Sequence, residues 1–443
     1  MNRSHRVALP AVAATAALAL TLSACGSSGG SSSGSKSTAL TASAPGITAT
    51  TITIGSHQPL TGVAAPGYDE IAPASNAYFD YVNAHGGVDG RKIVYKYLND
   101  QYNPTSTVSV VKQLVLQDSV YAIFDGLGTP THLAVAPFLN QEKVPDVFVA
   151  SGCECWNNPS GWPDTFGWQL DYVREGKILG TYIKQHFAGQ KVGYFYQDDE
   201  FGKDGVKGLD MEIPKADVVS RQSYDPTNIN VGPQVAALKA SGAKVIVSFT
   251  VPAFTALLKL NSLKLGFNPT FVVSDVGSDP ITLAGLLEAY AKQGGAKVSG
   301  NALTQGIITD GYLPTLGDAG NSWIALFKMI HDKYIPKLPF DGNVLFGEAV
   351  AYTFVQAMLK AGRNPTREDL VKAIEAGMPQ GPSVAPYAYS ATGHSGMTGA
   401  YMGVIKNGVL VQQGPVLTTT TAPTSPVATY TGSAPAAPSS GMP

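Results

Sequence analysis

Between residues 51 and 413 the chain alternates short β runs with amphipathic helices, and this pattern limits the fold more than any other feature. Residues 51–54 alternate Thr and Ile as a strand does. Residues 70–84 then place Ile71, Ala74, Tyr78, Phe79 and Val82 on one helical face, and Gly86-Gly87 stops the helix. Further strands are predicted at 93–98, 120–124, 144–150, 191–196, 218–220, 244–249 and 270–273. Helices are predicted at 105–118, from Thr129-Pro130 onward, and at 173–187, 203–214, 231–240 and 253–265. A βαβα order makes parallel sheets with helices on both faces. About ten such units are too many for one ordinary open sheet, so two doubly wound, Rossmann-like α/β lobes are expected.

The apolar fraction, 44% of 443 residues, suffices for one large or two ordinary domains. A net charge of -2 gives no basic footprint, so no nucleic-acid partner is expected. Catalytic signatures are missing too. No G-x-G-x-x-G follows the first strand, and the chain has no phosphate-loop, H-E-x-x-H, C-x-x-C or G-x-S-x-G context. Gly393-His394-Ser395-Gly396 reads as a turn. His57 has no assignable nucleophile and reads as a satisfied polar residue facing a cleft. The chain is therefore expected to be a binding protein, not an enzyme, with no cofactor and no metal.

The ends differ from this body. Arg3 and Arg6 precede an apolar run at 7–22, which closes on Leu22-Ser23-Ala24-Cys25. A positive start, an apolar centre and a small-residue site make a secretory signal at 1–24. The run is short against the roughly 20 residues of a membrane span, and nothing later reads as long and apolar enough to cross. Leu-Ser-Ala-Cys resembles the bacterial lipobox. That resemblance implies a lipid on Cys25 and a place on the extracytoplasmic face of the cell membrane. Residues 25–50 follow as a flexible tether, nearly all Ser, Gly, Ala and Thr at 26–41. Residues 418–443 are a second low-complexity stretch, rich in Thr, Ala, Pro and Ser, and are expected to be disordered. Cys153 and Cys155 remain, either as a small-ring disulfide or as two free thiols.

Several motifs in order carry a family resemblance. They are Pro59-Leu60-Thr61-Gly62, Asn83-Ala84-His85-Gly86-Gly87-Val88-Asp89-Gly90, Asn99-Asp100-Gln101-Tyr102-Asn103-Pro104, Gly126-Leu127-Gly128-Thr129-Pro130-Thr131, Val149-Ala150-Ser151-Gly152 and Gln197-Asp198-Asp199-Glu200-Phe201-Gly202. Together they resemble the leucine/isoleucine/valine-binding family, the type I periplasmic substrate-binding proteins of ABC transporters. The resemblance implies two lobes joined by a three-crossover hinge, with lobe 1 at 51–170 plus 304–396 and lobe 2 at 171–303 plus 397–417. It implies a small-molecule ligand, an amino acid or other small carboxylate, captured by hinge closure, and an ABC-transporter permease as partner to a monomeric receptor. A ligand sensor with the same fold is the alternative. Thr129, Ala150, Ser151 and Gly152 would hold a carboxylate, Asp275 an ammonium, and Phe201 would stack on the ligand. Tyr68 would cover it, and Trp156 would line the entrance.

Overall fold

Parallel strands place their carboxyl ends along one edge, and this chain does so twice. The computed structural model describes residues 39–443. Residues 1–38, with the signal sequence, Cys25 and most of the tether, lie outside the described residues. The first sheet contains β1 (Thr51–Gln58), β2 (Lys92–Asn99), β3 (Ile123–Phe124), β4 (Asp146–Val149) and β5 (Thr165–Gly167). Its order is β2-β1-β3-β4-β5, and every pairing is parallel. The second sheet contains β6 (Val192–Gln197), β7 (Val218–Tyr224), β8 (Val245–Phe249), β9 (Thr270–Val273), β10 (Ile308–Gly311), β11 (Gly399–Lys406), β12 (Val409–Thr418) and β13 (Ala428–Thr429). It is parallel from β7 to β10 and antiparallel beyond, in the order β7-β6-β8-β9-β10-β11-β12-β13.

The chain passes between the sheets three times: after β5, after β10 and before β11. These crossovers are tied together. Met397 donates its N–H to the Trp168 carbonyl at 2.9 Å, and Val384 donates to the Tyr312 carbonyl at 3.0 Å. Gly396 is needed there, because a Cβ would lie 1.9 Å from the Trp168 carbonyl oxygen.

Four expectations are corrected. The second crossover begins after Gly311 and not at 304, because β10 pairs with β9 and β11 inside the second sheet. Residues 41–50 are held on the lobe, not a free tether: Ile47 is buried and bridges to Ile52, and the Thr41 N–H binds the Asn364 side chain. The helix Gly342–Ala361 is as long and apolar as a membrane span, yet 78% of its apolar window is buried, which makes it the central core helix of lobe 1. Finally, the tail after 418 is ordered. Its first part wraps the side chain of Lys177, whose ammonium donates to the carbonyls of Thr420, Ala422 and Ser425 at 2.9, 2.8 and 2.7 Å. Composition missed this because the tail docks largely through its backbone carbonyls, with only a few apolar side chains such as Val427, Ala437 and Met442 packed on the core.

The helix at 105–118 is α-helical over Pro104–Lys112 and relaxes into a π-type turn over Gln113–Gln117. Asn103 caps its start by accepting from the Thr105 and Ser106 N–H groups. The helices Ile71–Ala84 and Gly342–Ala361 pack closely through Gly347, where a Cβ would stand 2.3 Å from the Ile71 carbonyl oxygen and 2.8 Å from Ala74 Cβ. Gly347→Ala is therefore expected to destabilise the protein by about 1–3 kcal/mol, as overpacking does. A denaturant titration showing an unchanged midpoint would contradict this close approach.

Candidate functional site

The carboxyl ends of β1, β3 and β4 face those of β8 and β9 across a cavity of about 320 Å³. Of the residues singled out from sequence, Tyr68, Thr129, Ala150, Phe201 and Asp275 lie on its wall. Ser151 stands one layer behind, with its Oγ 2.7 Å from Thr129 Oγ1. Gly152 is not on the wall; its carbonyl accepts the Tyr172 N–H at 2.7 Å, and a Cβ there would strike the Leu170 carbonyl at 2.3 Å. Trp156 does not line the entrance. It is buried in a satellite cluster with Cys153 and Val149, its ring edge-on to His132. Cys153 and Cys155 are joined as a disulfide.

His57 is fully buried and does not line the cavity. It belongs to a polar chain behind the cleft. His57 Nδ1 is 2.8 Å from Asp100 Oδ2, its Nε2 is 2.8 Å from His132 Nδ1, and His132 Nε2 is 2.7 Å from Asp146 Oδ2. The ring-to-ring contact needs a proton between two nitrogens. Burial lowers the His57 pKa, against the opposing bond to Asp100. The two rings and the two carboxylates thus form one continuous buried hydrogen-bonded chain. His132 lies on the short helix Thr129–Leu133, so the chain fixes the segment that presents Thr129.

The cavity has three chemically distinct regions. At one end the Tyr172 hydroxyl lies against the hydroxyls of Thr129 and Ser151, three donors in one place. In the middle, Asp275 is half-buried on the cavity wall beside Tyr312. Its backbone N–H donates to Glu175 Oε1 at 2.9 Å and to Asp310 Oδ1 at 3.1 Å. Asp310 Oδ2 has no partner. Burial pushes Asp275 up to about 7 and Glu175 to about 6, and it raises Asp310 further. The far end is apolar, with Leu313, Phe340, Leu345, Phe346 and Ile281. Among the described residues no Lys, Arg or His lines the cavity. Sequence reasoning missed Tyr172, Glu175, Asp310 and Tyr312. The signal available for Tyr172 and Tyr312 was their position at a crossover or just beyond a strand end; Glu175 and Asp310 lie inside a helix and a strand.

The lobes touch across the opening. Tyr68 donates to the Val276 carbonyl at 2.7 Å, Gln197 Nε2 to the Tyr102 hydroxyl at 3.1 Å, and the Gly342 N–H to Asp279 Oδ2 at 2.9 Å. The Glu154 N–H reaches Asp204 Oδ2 at 2.8 Å. The structure is thus a closed arrangement.

Two doubly wound lobes, a tied three-strand hinge and a cavity between them define a bilobal binding protein. The chain belongs to the periplasmic binding protein family, whose profile matches residues 51–409. It is 24% identical to a Leu/Ile/Val-binding protein homolog of Brucella melitensis, over 77% of this chain and 88% of that one. Its fold is similar to that of a branched-chain amino acid ABC transporter protein from Thermus thermophilus with bound valine, at a TM-score of 0.69 and 20% identity, covering 84% of this chain and 97% of that one. It is also similar to a fatty acid ABC transporter substrate-binding protein from Thermomonospora curvata, at a TM-score of 0.71 and 23% identity, covering 84% and 93%. The family is one of binding proteins, not of enzymes, and its members work outside the cytoplasm.

Asp171 and Asp275 both have folded pKa values raised by burial to about 7. The folded protein therefore holds more protons than the unfolded chain near neutrality, and the stability this gives is lost as pH rises through 7. The melting temperature is expected to rise as pH falls from 8 to 6.5, and a flat profile across that interval would contradict the burial of these carboxyls.

Proposed function

We propose that this chain is the solute-binding receptor of an ABC importer, held on the extracytoplasmic face by a lipid on Cys25, acting as a monomer that delivers ligand to a permease. The cavity between two hinged lobes carries the reading. Ligand adds contacts to both walls only when the lobes are shut, so it favours the closed form.

The ligand is an amino acid with an apolar side chain. The wall hydroxyls of Thr129 and Tyr172, with Ser151 bonded behind Thr129, suit a carboxylate. A ligand bearing a carboxylate alone would meet a wall with no basic side chain and a buried acid, so its charge would go unbalanced. An ammonium over Asp275 supplies the missing positive charge and keeps that carboxylate ionised. The cavity of about 320 Å³ compares with the roughly 150 Å³ that hold benzene in an engineered core. It leaves room beside the head group for a side chain at least as large as that of leucine. The valine-bound relative supports an amino acid, and the fatty-acid relative supports a long apolar end.

Calorimetry with leucine, phenylalanine and 3-phenylpropanoate separates these elements. Both amino acids are expected to bind and 3-phenylpropanoate to fail. Asp275→Asn is expected to weaken leucine and phenylalanine about tenfold or more, the worth of a charged hydrogen bond. Binding of 3-phenylpropanoate alone would overturn the amino-acid reading, and heat from none of the three would count against the receptor reading itself. For the anchor, Cys25→Ser is expected to move the protein from the membrane fraction to the soluble one. Unchanged sedimentation with membranes would remove the lipid from the account.

A further inference from the structure

The three crossovers are the covalent links between the lobes, yet the chain makes a fourth connection after the last of them. Past β12, in lobe 2, residues 419–430 stay on that lobe. They encircle the buried ammonium of Lys177, on the lobe 2 helix Tyr172–His186, and β13 pairs antiparallel with Leu417 and Thr418 of β12. The Tyr430 N–H then donates to the Val416 carbonyl at 2.8 Å. Residues 431–434 are exposed. After them the chain is on lobe 1. The Pro435 carbonyl accepts from Trp323 Nε1 at 2.7 Å, and the Ala437 N–H donates to Ser322 Oγ at 2.8 Å. The Ser440 carbonyl accepts from the Tyr81 hydroxyl at 2.7 Å and the Gly441 carbonyl from the Tyr78 hydroxyl at 2.9 Å. Tyr78 and Tyr81 lie on the helix Ile71–Ala84, and Ser322 and Trp323 on Ser322–Tyr334, both packed in lobe 1.

We infer that residues 419–443 form a strap, docked on both lobes, that restrains their opening and holds the ligand-free receptor nearer the closed form. The segment between Tyr430 and Pro435 spans about 18 Å at full extension. Any opening that would carry the two docks further apart must strip one of them from its lobe. The lobe 2 dock is the stronger, because a buried ammonium would lose three acceptors at once. The lobe 1 dock, made of four single bonds to neutral groups and the partly buried Ala437 and Met442, is the end that lets go. Restraining the open state raises the fraction of receptor ready to bind, and apparent affinity rises in proportion to that fraction.

Two variants of the full mature chain, each made soluble by Cys25→Ser, test this. The first lacks residues 431–443. The second is Gly441→Val, chosen because Gly441 has φ +67° and a Cβ there would stand 2.6 Å from the Tyr81 hydroxyl oxygen. It releases the lobe 1 dock at constant chain length. Small-angle scattering of the ligand-free proteins is expected to show a radius of gyration larger by roughly 1 Å than that of the parent, on a base of about 22 Å for a chain of this size. Protease cutting within 431–434 is expected to accelerate in Gly441→Val, which reports release of the dock. An unchanged or smaller radius, in a variant that melts as a folded protein and is cut faster, would overturn the strap. If Gly441→Val is cut no faster, the truncated chain decides by the same radius criterion. If the truncation does not fold, Trp323→Phe, which removes the indole donor, takes its place under that criterion.

Discussion

The structure depends on a constraint that parallel sheets impose. Strands that all run one way deliver their carboxyl ends, and the loops that follow, to a single edge. Here two such edges face each other, and three backbone crossings hold them in register through the bonds Met397–Trp168 and Val384–Tyr312. Thr129, Ala150, Asp275 and Tyr312 come together because each stands at or just beyond a strand end, on loops from β3, β4, β9 and β10. The cavity is thus a product of topology, and its chemistry is set by a few side chains.

The centre of that chemistry is a group of three carboxyls. Glu175, Asp275 and Asp310 approach one another without a cation among them, and burial raises the pKa of all three. Such a group is costly to keep charged inside a closed cavity. On the proposed reading, a positively charged ligand supplies the charge the protein withholds. The buried His57–His132 pair is arranged oppositely, with its partners Asp100 and Asp146 already in place. One polar network is complete within the protein; the other is left for a guest.

Much of this was legible in the sequence. The strand at 51–54 is the start of β1, and those at 191–196 and 270–273 match β6 and β9 within a residue or so, because short runs of β-branched and aromatic residues between helices leave little choice. Helix starts were legible where a cap or a proline announced them, as at Asn103-Pro104 and Thr129-Pro130. β10 was not assigned to the second sheet, since four residues followed by a crossover carry no mark of which sheet they join. Glu175 and Asp310 were passed over because an acid in a helix or strand reads as solvent-facing until tertiary packing buries it. The tail was misread for a sharper reason. Composition measures what a segment can bury by itself, and this one is held by donors that belong to Lys177, Trp323, Tyr78 and Tyr81.

β13 has one more consequence. A sheet that ends in a long strand offers its free N–H and C=O groups as a template for another chain, and an edge such as β12 invites runaway strand addition. Three things spoil the template here. Pro415 has no N–H to offer, the register slips between Tyr401 and Met402 and so bends the edge, and β13 occupies the bonding positions of Leu417 and Thr418. The low-complexity tail thus covers the Leu417–Thr418 end of this edge strand, where its own backbone groups take the places another chain would use.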